Sequence, residues 1–429
     1  MALLVENVRA ELGLESLLEH APIEDTSPRE KLDVRPIARA VPAELGEYEV
    51  VNLEGTKPKV REALLDGYAA GQPACYGQNI ENFIGLASLP LGLAGPLRVN
   101  GLFARGDYYL PLATTEAALV ASYHRGACLL SQAGGCSAML LAEGVSRSPG
   151  FAFDSARRAG LFAAWVVEHL EEIRAAAQAT TRHGTLEELR ITIEGNHIYL
   201  LLEFQTGDAS GQNMATIATE AACALIMAQT PVAPDYFFVE ANMSGDKKAS
   251  AQSFLGVRGK KVTAEAVIPA ELVAQTLHTT SGRMADYWRM SALGGVLSGT
   301  IGVQGHYANG LAALYIACGQ DAACIAESAV GVTRFEARDD GALYAAVTLP
   351  NLMVGTVGGG TGLPTQRACL ELMGLHGDGK ARALAEVCAG LALAGELSII
   401  GALAAGEFTR AHRKLARGGE RPEDSAAHG

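Results

Sequence analysis

The sequence lacks several features that define broad classes of protein. None of its eight cysteines belongs to a CxxC pair or has a histidine at zinc-finger spacing, which argues against a metal site. The longest apolar tract, residues 387–408, contains Glu396 and several glycines, so no window reaches the roughly 20 apolar residues of a membrane span. Positive charge is scarce, with 34 Lys and Arg against 47 Asp and Glu and a net charge of −13, and we expect no nucleic-acid partner.

The cysteines and the first residues both indicate a reducing compartment. Most cysteines lie in apolar runs, as buried free thiols do. The opening MALLVENVRAELG places Glu6, Arg9 and Glu11 where a signal peptide requires an apolar stretch. We therefore expect a cytoplasmic protein without a membrane anchor.

The middle of the chain has the pattern of a small inserted domain. Residues 154–177 have the spacing of one amphipathic helix, and residues 189–193 and 197–204 predict two strands joined at Gly195-Asn196. A helix near 214–229 and a strand at 236–240 follow. This order predicts helices on one face of an antiparallel sheet, in a domain of residues 149–239.

The rest of the chain predicts a larger mixed domain around that insertion. Helices are indicated near 60–69, 269–279, 310–318, 366–375 and 381–405, whereas the glycines and prolines of residues 85–101 exclude a helix there. Residues 1–47, with four prolines, predict a short helix and an irregular arm. We therefore predict an α+β fold, with a large mixed helical and β domain of residues 48–148 and 240–405 and a C-terminal segment of residues 406–429.

One segment places a carboxyl group among apolar residues. In PLATTEAALVAS, residues 111–122, Glu116 follows two threonines and precedes an apolar helical stretch. One interpretation is helix capping, with Thr as the N-cap and Glu116 in the first turn. The other is a buried acid whose raised pKa allows it to donate protons near neutral pH.

Two further segments place charges in loops. In EANMSGDKKAS, residues 240–250, Asp246, Lys247 and Lys248 follow a strand. One interpretation is a solvated turn. The other is a loop that supplies a cation to stabilise an oxyanion on a thioester or aldehyde carbonyl. In CGQD, Asp321 stands at a predicted helix end, where it could be a turn residue.

Two glycine-containing loops connect a strand to a helix. They are DASGQN, residues 208–213, and TVGGGT, residues 356–361. Their backbone amides could approach a phosphate group at a helix N-terminus. Neither loop matches the dinucleotide fingerprint or the Walker pattern, so each is a weak signal alone.

Taken in order, these segments resemble class I 3-hydroxy-3-methylglutaryl-CoA (HMG-CoA) reductases. The similarity extends from about residue 81 to residue 417. Its motifs are ENFIG (81–85), PLATTE (111–116), TRHG (181–184), DASGQN (208–213), GDKK (245–248), ACGQD (317–321), GTVGGGTGLP (355–364) and LAGELS (393–398) followed by His412. Each motif is modest, but the ordered set is highly specific.

The resemblance implies a reaction and four catalytic residues. Two successive hydride transfers from NADPH would convert HMG-CoA to mevalonate and free CoA. The resemblance implies that Lys247 stabilises the carbonyl oxygen, Glu116 supplies protons and Asp321 tunes the pKa values of both. His412 would protonate the departing CoA thiolate.

The resemblance also implies binding residues, and it makes the small ferredoxin-like domain the nucleotide-binding domain. A cation near the adenosine ribose would favour NADPH over NADH. The implied substrate residues are Arg147, Asn242, Asp246, Lys248, Arg289 and Asn309, with Glu81, Asn82 and Arg125 on the CoA side. The implied cofactor residues are Arg182, Asp208, Gly211, Asn213, Gly358 and Gly359. The expected assembly is a homodimer, or a tetramer, with the active site between two subunits.

One departure from the family leaves an alternative open. Glu240, Ala241 and Asn242 stand where the family often has Ser-Gly-Asn, which places a carboxylate near an anionic substrate. A reductase of a related acyl-CoA is therefore one alternative. A non-catalytic CoA- or nucleotide-binding homologue is the other, against which the intact catalytic set argues.

Overall fold

The computed structural model of the chain describes residues 75–76, 79–80, 85–181 and 184–407. The predicted arm of residues 1–47, the predicted helix at 60–69 and residues 408–429 lie outside this range. Four predicted site residues also lie outside the described residues: Glu81, Asn82, Arg182 and His412.

Eleven strands of the described ranges form one mixed sheet. The strands are β1 (Leu91–Gly101), β2 (Arg105–Ala113), β3 (Cys136–Arg147), β4 (Gly150–Ala152), β5 (Thr185–Glu194), β6 (His197–Gln205), β7 (Tyr236–Phe238), β8 (Gly259–Ile268), β9 (Gly302–Val303), β10 (Gly331–Ala337) and β11 (Leu343–Leu352). The order is β7-β4-β6-β3-β8-β11-β10-β9, with β1 beside β2 and β3, and β5 beside β6. The β1–β3 and β9–β10 pairs are parallel, and the other pairs are antiparallel.

The helices of the described ranges pack against this sheet or against one another. They are α1 (Leu119–Gln132), α2 (Ala156–Glu168), α3 (Leu170–Gln178), α4 (Gln212–Gln229), α5 (Ala270–Leu277), α6 (Ser281–Ser298), α7 (Tyr307–Ala317), α8 (Ile325–Ser328), α9 (Pro364–Leu372) and α10 (Ala381–Ala404). Together the strands and helices confirm the predicted mixture of helical and β structure.

The long apolar helix α10 is the centre of the core. By length and composition it could cross a membrane, but 89% of its apolar window is buried inside the protein. It packs against β1, β3, β8, β11 and α1. The prediction that this tract is a buried helix is confirmed. Six of the seven cysteines from Cys128 to Cys388 are also buried, and these seven form no disulfide.

Two buried carboxyl groups on α10 bind backbone amides of neighbouring loops. Glu386 accepts hydrogen bonds from the N–H groups of residues 102–104 and 140. Glu396 accepts from the N–H groups of Gly305 and His306 and from the Thr333 hydroxyl. Each carboxyl group thus satisfies amides that would otherwise be buried without partners.

The predicted hairpin, the helix near 214–229 and the strand near 236–240 are present. Strands β5 and β6 pair antiparallel and turn at Gly195-Asn196, and α4 and β7 follow. The single helix predicted over 154–177 is wrong, because α2 and α3 are separated at His169, whose φ is −109°. The His169 ring stacks on Trp165 and its Nδ1 lies 2.9 Å from the Trp165 carbonyl oxygen, which stabilises the break.

Most strands of the large sheet were not predicted from the sequence. Strand β1 contains Pro96, and the register of its pairing with β2 shifts between Ala94 and Leu97. A proline is tolerated in a strand at such an irregularity. Helix α6 was also missed, because one face of it leaves apolar residues exposed. These residues are Met290, Leu293, Val296 and Leu297.

Candidate active site

Three glycine-containing loops meet with their backbones in contact. A Cβ atom at Gly319 would lie 2.3 Å from the Gly360 carbonyl oxygen, and one at Gly355 would lie 2.6 Å from the Ser210 backbone nitrogen. Only glycine permits these approaches. The Gln320 side chain also accepts a hydrogen bond of 2.8 Å from the Gly355 N–H. The glycines therefore bring the ACGQD, GTVGGGT and DASGQN motifs together.

A cavity of about 670 Å³ opens between these loops. This volume is in the range of ligand and cofactor sites. Its lining comprises residues 209–214, 319–321, 355, 357–361, 363 and 366, together with Arg147, Asp246, Lys247 and Ile316. Motifs that are far apart in the sequence thus share one cavity.

An ion pair joins two of the predicted catalytic residues at this cavity. Lys247 Nζ lies 2.9 Å from Asp321 Oδ2, and each side chain is 41% exposed. The hydrogen bond with Asp321 raises the pKa of Lys247, and burial opposes it. Asp321 also caps the short helical turn after it by accepting from the Ala323 N–H. The pair is therefore held in place yet accessible to a ligand.

The neighbouring Asp246 is held by two arginines. Its Oδ2 lies 3.1 Å from Arg147 Nη1, and its Oδ1 accepts a hydrogen bond from Arg258. Burial would raise the pKa of Asp246, but Arg258 and Arg147 outweigh it and lower that pKa. Asp246 is thus an anion that orients Arg147 at the cavity wall.

The third described residue of the predicted catalytic set, Glu116, is exposed rather than buried. Helix α1 begins at Leu119 with Ala118 as its N-cap, so Glu116 precedes the helix and the capping interpretation was wrong. The predicted burial of Glu116 is not found within one chain, and its role as a proton donor stays a prediction. The Thr114 hydroxyl accepts from the Glu116 N–H at 3.0 Å. Asn309 Nδ2 donates to Glu116 Oε2 at 2.8 Å, so the structure brings these two predicted site residues together.

Helix α7 separates the two pairs. Asn309 lies in its first turn, and Asp321 lies four residues beyond its last residue, Ala317. An α-helix of 11 residues is about 16 Å long. Within one chain, Glu116 therefore stands at the opposite end of α7 from Lys247 and Asp321.

The other predicted substrate residues lie on several elements. Arg147 is buried at the end of β3 and donates to the Thr216 hydroxyl. Lys248 is exposed and donates to the Asp246 carbonyl oxygen, and Asn242 is exposed with φ 66°.

Arg125 donates to the Ser398 hydroxyl and carbonyl. Arg289 lies on α6 in an exposed pair with Asp286, and no described contact joins it to the cavity.

The predicted cofactor residues divide into two groups. Gly211, Asn213, Gly358 and Gly359 line the cavity, with Gly211 at φ 74° directly before α4. Asp208 does not line it. Its carboxylate accepts from the N–H groups of Gly379 and Ala381 at 2.7 and 3.0 Å. Asp208 therefore caps the N-terminus of α10, where the helix dipole favours a carboxylate.

Two neighbouring backbone N–H groups bind the carboxylate of Glu240. Oε2 accepts from the Ser148 N–H at 3.2 Å, and Oε1 accepts from the Asn242 N–H at 2.8 Å. Both oxygens thus have partners before any substrate arrives, and the residue connects the end of β3 to the loop that carries Lys247.

Sequence reasoning missed Arg258 and Glu327, which lie beneath this loop. Arg258 precedes β8 and is 3% exposed, and Glu327 on α8 is fully buried. A buried arginine or glutamate is rare unless it is paired. The only signal in the sequence was a charged residue beside an apolar segment, which also describes many surface positions.

Comparisons with known proteins identify the family of the chain. Residues 52–417 match the family model for hydroxymethylglutaryl-coenzyme A reductase. The 3-hydroxy-3-methylglutaryl-coenzyme A reductase of Pyrococcus horikoshii is 44% identical over 80% of this chain and 84% of its own length. The enzyme of that name from Methanocaldococcus jannaschii is 42% identical over 82% and 87%.

Solved structures share the fold. The class II 3-hydroxy-3-methylglutaryl-CoA reductase from Streptococcus pneumoniae, solved bound to NADPH, matches with a TM-score of 0.64 at 21% identity. The match covers 81% of this chain and 97% of that one. From its sequence motifs, the family-model match and these relatives, the chain belongs to the hydroxymethylglutaryl-coenzyme A reductase family.

Proposed function

We propose that the chain is an NADPH-dependent reductase that converts HMG-CoA to mevalonate and free CoA. The observation that carries this proposal is the Lys247–Asp321 ion pair in a cavity between three glycine-containing loops. A cation fixed at such a wall can stabilise negative charge on a carbonyl oxygen. Relatives that are 42–44% identical carry the name of this activity.

The cavity fits a dinucleotide. The N-terminus of the 18-residue helix α4 borders it through Gly211, Gln212 and Asn213. At a helix N-terminus, free N–H groups and the helix dipole favour a pyrophosphate. Nothing lies within 4 Å of a Cβ built at Gly358 or Gly359, so this loop leaves room for a ligand. When bound there, NADPH supplies the hydride for each reduction.

The chain's own residues then have distinct roles. Lys247 stabilises the developing oxyanion, and Asp321 keeps Lys247 protonated through their hydrogen bond. Glu116, oriented by Asn309, supplies protons. Arg147, held by Asp246, pairs with the substrate carboxylate. His412, in the C-terminal segment, protonates the CoA thiolate.

We assign the chain to class I and divide it as the sequence predicts. The class assignment rests on the ordered motifs and on the low identity, 21%, to the class II enzyme from Streptococcus pneumoniae. Residues 149–239, with α2 to α4 and β4 to β7, form the proposed nucleotide-binding domain, and residues 48–148 and 240–405 form the substrate domain. The proposed location is the cytoplasm.

We also propose that the active form is a homodimer with composite sites. Glu116 and Lys247 stand at opposite ends of α7 in one chain, so a second copy must bring a Glu116 to each Lys247. Helix α6 exposes an apolar face suited to such a contact, with Val296 77% and Leu297 81% exposed.

Mixing two inactive variants tests the composite site. Glu116→Gln and Lys247→Ala, co-expressed with different affinity tags, form hybrid dimers with one intact site and one doubly altered site. We expect activity in the purified hybrid although each parent is inactive. An inactive hybrid, or a fully active monomer at high dilution, contradicts the composite site.

The reaction itself is tested by cofactor oxidation. The purified protein is mixed with NADPH and HMG-CoA, and absorbance of NADPH is followed. Absence of turnover at any practical concentration refutes the proposed function. Turnover with a different acyl-CoA alone supports the alternative suggested by Glu240.

A further inference from the structure

A chain of four charged side chains extends from the protein interior to the cavity. We call Glu327, Arg258, Asp246 and Arg147 the buried ion chain. Glu327 Oε2 lies 2.8 Å from Arg258 Nε, Arg258 donates to Asp246 Oδ1, and Asp246 Oδ2 lies 3.1 Å from Arg147 Nη1. The charges alternate in sign along the buried ion chain.

The interior half of this chain is sheltered from water. The Glu327 side chain is 0% exposed and that of Arg258 is 4% exposed. Burying such ions costs several kcal/mol each unless they are paired, and replacement by apolar residues is often neutral or stabilising. The Glu327–Arg258 pair therefore contributes little to stability, and a role in fixing a nearby loop explains it better.

The loop that the buried ion chain contacts is the one carrying Lys247. Asp246 is its direct neighbour, and the Lys247 amide lies against the Glu327 carboxyl group and lowers its pKa. Lys247 itself has φ 53°, in the left-handed region that a lysine adopts only when its surroundings impose it. The contacts of Asp246 with the two arginines and of the Lys247 N–H with Glu327 meet this requirement.

We infer that Arg258 and Glu327 are positioning residues, which hold the 245–248 loop so that the Lys247 ammonium meets Asp321 at the cavity. This inference rests on the proposed function. Arg258 acts through Asp246, and Glu327 acts through Arg258 and the Lys247 backbone; neither lines the cavity.

Protonation of Glu327 should make catalysis depend on pH. Burial raises the pKa of Glu327 to about 7, Arg258 opposes this and Asp246 adds to it. The other groups that face Glu327 are Cys324, which lowers its pKa, and Tyr315, whose own pKa is raised by burial. Protonation of Glu327 below neutral pH removes one charge from the buried ion chain. The buried ion chain then holds the 245–248 loop less firmly in place. The wild type should therefore gain kcat as the pH rises through about 7.

Glu327→Gln tests the positioning role, with Glu336→Gln as the matched control in an exposed pair with Arg334. We expect kcat at pH 8 to fall about 10- to 100-fold, as misplacement of a catalytic group by about 1 Å can cause. The KM for HMG-CoA and NADPH should change little, and the rise in kcat near pH 7 should disappear. The control should keep the wild-type profile.

If Glu327→Gln does not fold, the variants Glu327→Asp and Arg258→Lys test the positioning role instead. Each retains its charge but alters the geometry, so we expect a lower kcat with a near-normal KM. Wild-type kcat and an unchanged pH profile in any folded Glu327 variant overturn the positioning role. An inactive wild type refutes the proposed function instead, so the two failures are distinguishable.

Discussion

Lys247 Nζ lies 2.9 Å from Asp321 Oδ2, although the two are 74 positions apart in the sequence. The pair depends on the close backbone contact between Gly319 and Gly360, which fixes the turn that carries Asp321. It also depends on the left-handed conformation of Lys247. Two loops of unusual backbone geometry thus present one accessible ammonium–carboxylate pair.

Replacing the carboxylate of this pair should shift the titration of the amine. The hydrogen bond with Asp321 is the largest cause that raises the pKa of Lys247, so Asp321→Asn should lower that pKa. The ammonium is then lost at lower pH, and the alkaline limb of the pH profile of kcat/KM should move to lower pH.

The shift can be measured directly by NMR of the reductively methylated protein, with the Lys247 signal assigned from its absence in Lys247→Ala. Asp107→Asn, in the distant pair with Arg98, is the control. A Lys247 pKa in Asp321→Asn equal to that of the wild type contradicts the coupling.

Asn309 should act on catalysis through Glu116 alone. Removing the acid by Glu116→Gln should lower kcat by about 10²- to 10⁴-fold. Asn309→Ala, which removes the hydrogen bond that orients the acid, should lower kcat by a smaller factor, about tenfold. The double variant should resemble Glu116→Gln, because the two residues act as a unit. Multiplicative effects in this double-mutant cycle would show that they act independently.

Glu240 should prove to be a structural residue rather than a selector of substrates. Its carboxylate accepts from the Ser148 and Asn242 N–H groups. Glu240→Ala should therefore destabilise the protein by about 1–3 kcal/mol and raise the KM for HMG-CoA. The ratio of kcat/KM values for HMG-CoA and other acyl-CoA thioesters should stay within about twofold of the wild-type ratio. A preference that changes by an order of magnitude contradicts this role.

Glu386 should make the stability depend on pH. Burial raises its pKa to about 7, from 4.5, while four backbone N–H groups lower it. Because the folded state holds this proton more tightly than the unfolded chain, the contribution of Glu386 to stability is present below about pH 4.5 and declines by about 3 kcal/mol as the pH rises through 7.

Urea unfolding of the wild type and Glu386→Gln between pH 5 and pH 8 measures this contribution. The stability of the wild type relative to the variant should fall across that range. A difference that stays constant with pH contradicts the shift. Glu386→Ala, which leaves the same amides without an acceptor, should cost about 3 kcal/mol or more at every pH.

The sequence predicted local features well where periodicity was strong. The β5–β6 hairpin, α4 and α10 were located from apolar spacing and a Gly-Asn turn. Strands of the central sheet were missed because their pairing is long-range, as in Ala138 with Ala264. Mostly apolar strands such as β11 have no local pattern that separates them from buried helices.

The site was predicted as a set of motifs but not as a geometry. Glu116 is exposed because α1 begins only at Leu119. The separation of Glu116 from Lys247 by the length of α7 depends on the tertiary fold. Arg258 and Glu327 could not be identified from local sequence, because their role depends on burial beneath a loop from another part of the chain.

NADPH oxidation in the presence of HMG-CoA, measured for the wild type and for Lys247→Ala, tests most directly whether Lys247 is the catalytic cation of a reductase. The wild type should oxidise two NADPH per HMG-CoA consumed and release free CoA. Lys247→Ala should lose at least about 10³-fold in kcat with an unchanged melting temperature, since it removes an electrostatic contribution and no packing. Lys261→Ala, outside the cavity, should remain active. An inactive wild type, or near-normal turnover by Lys247→Ala, would contradict the assignment of Lys247 as the catalytic cation.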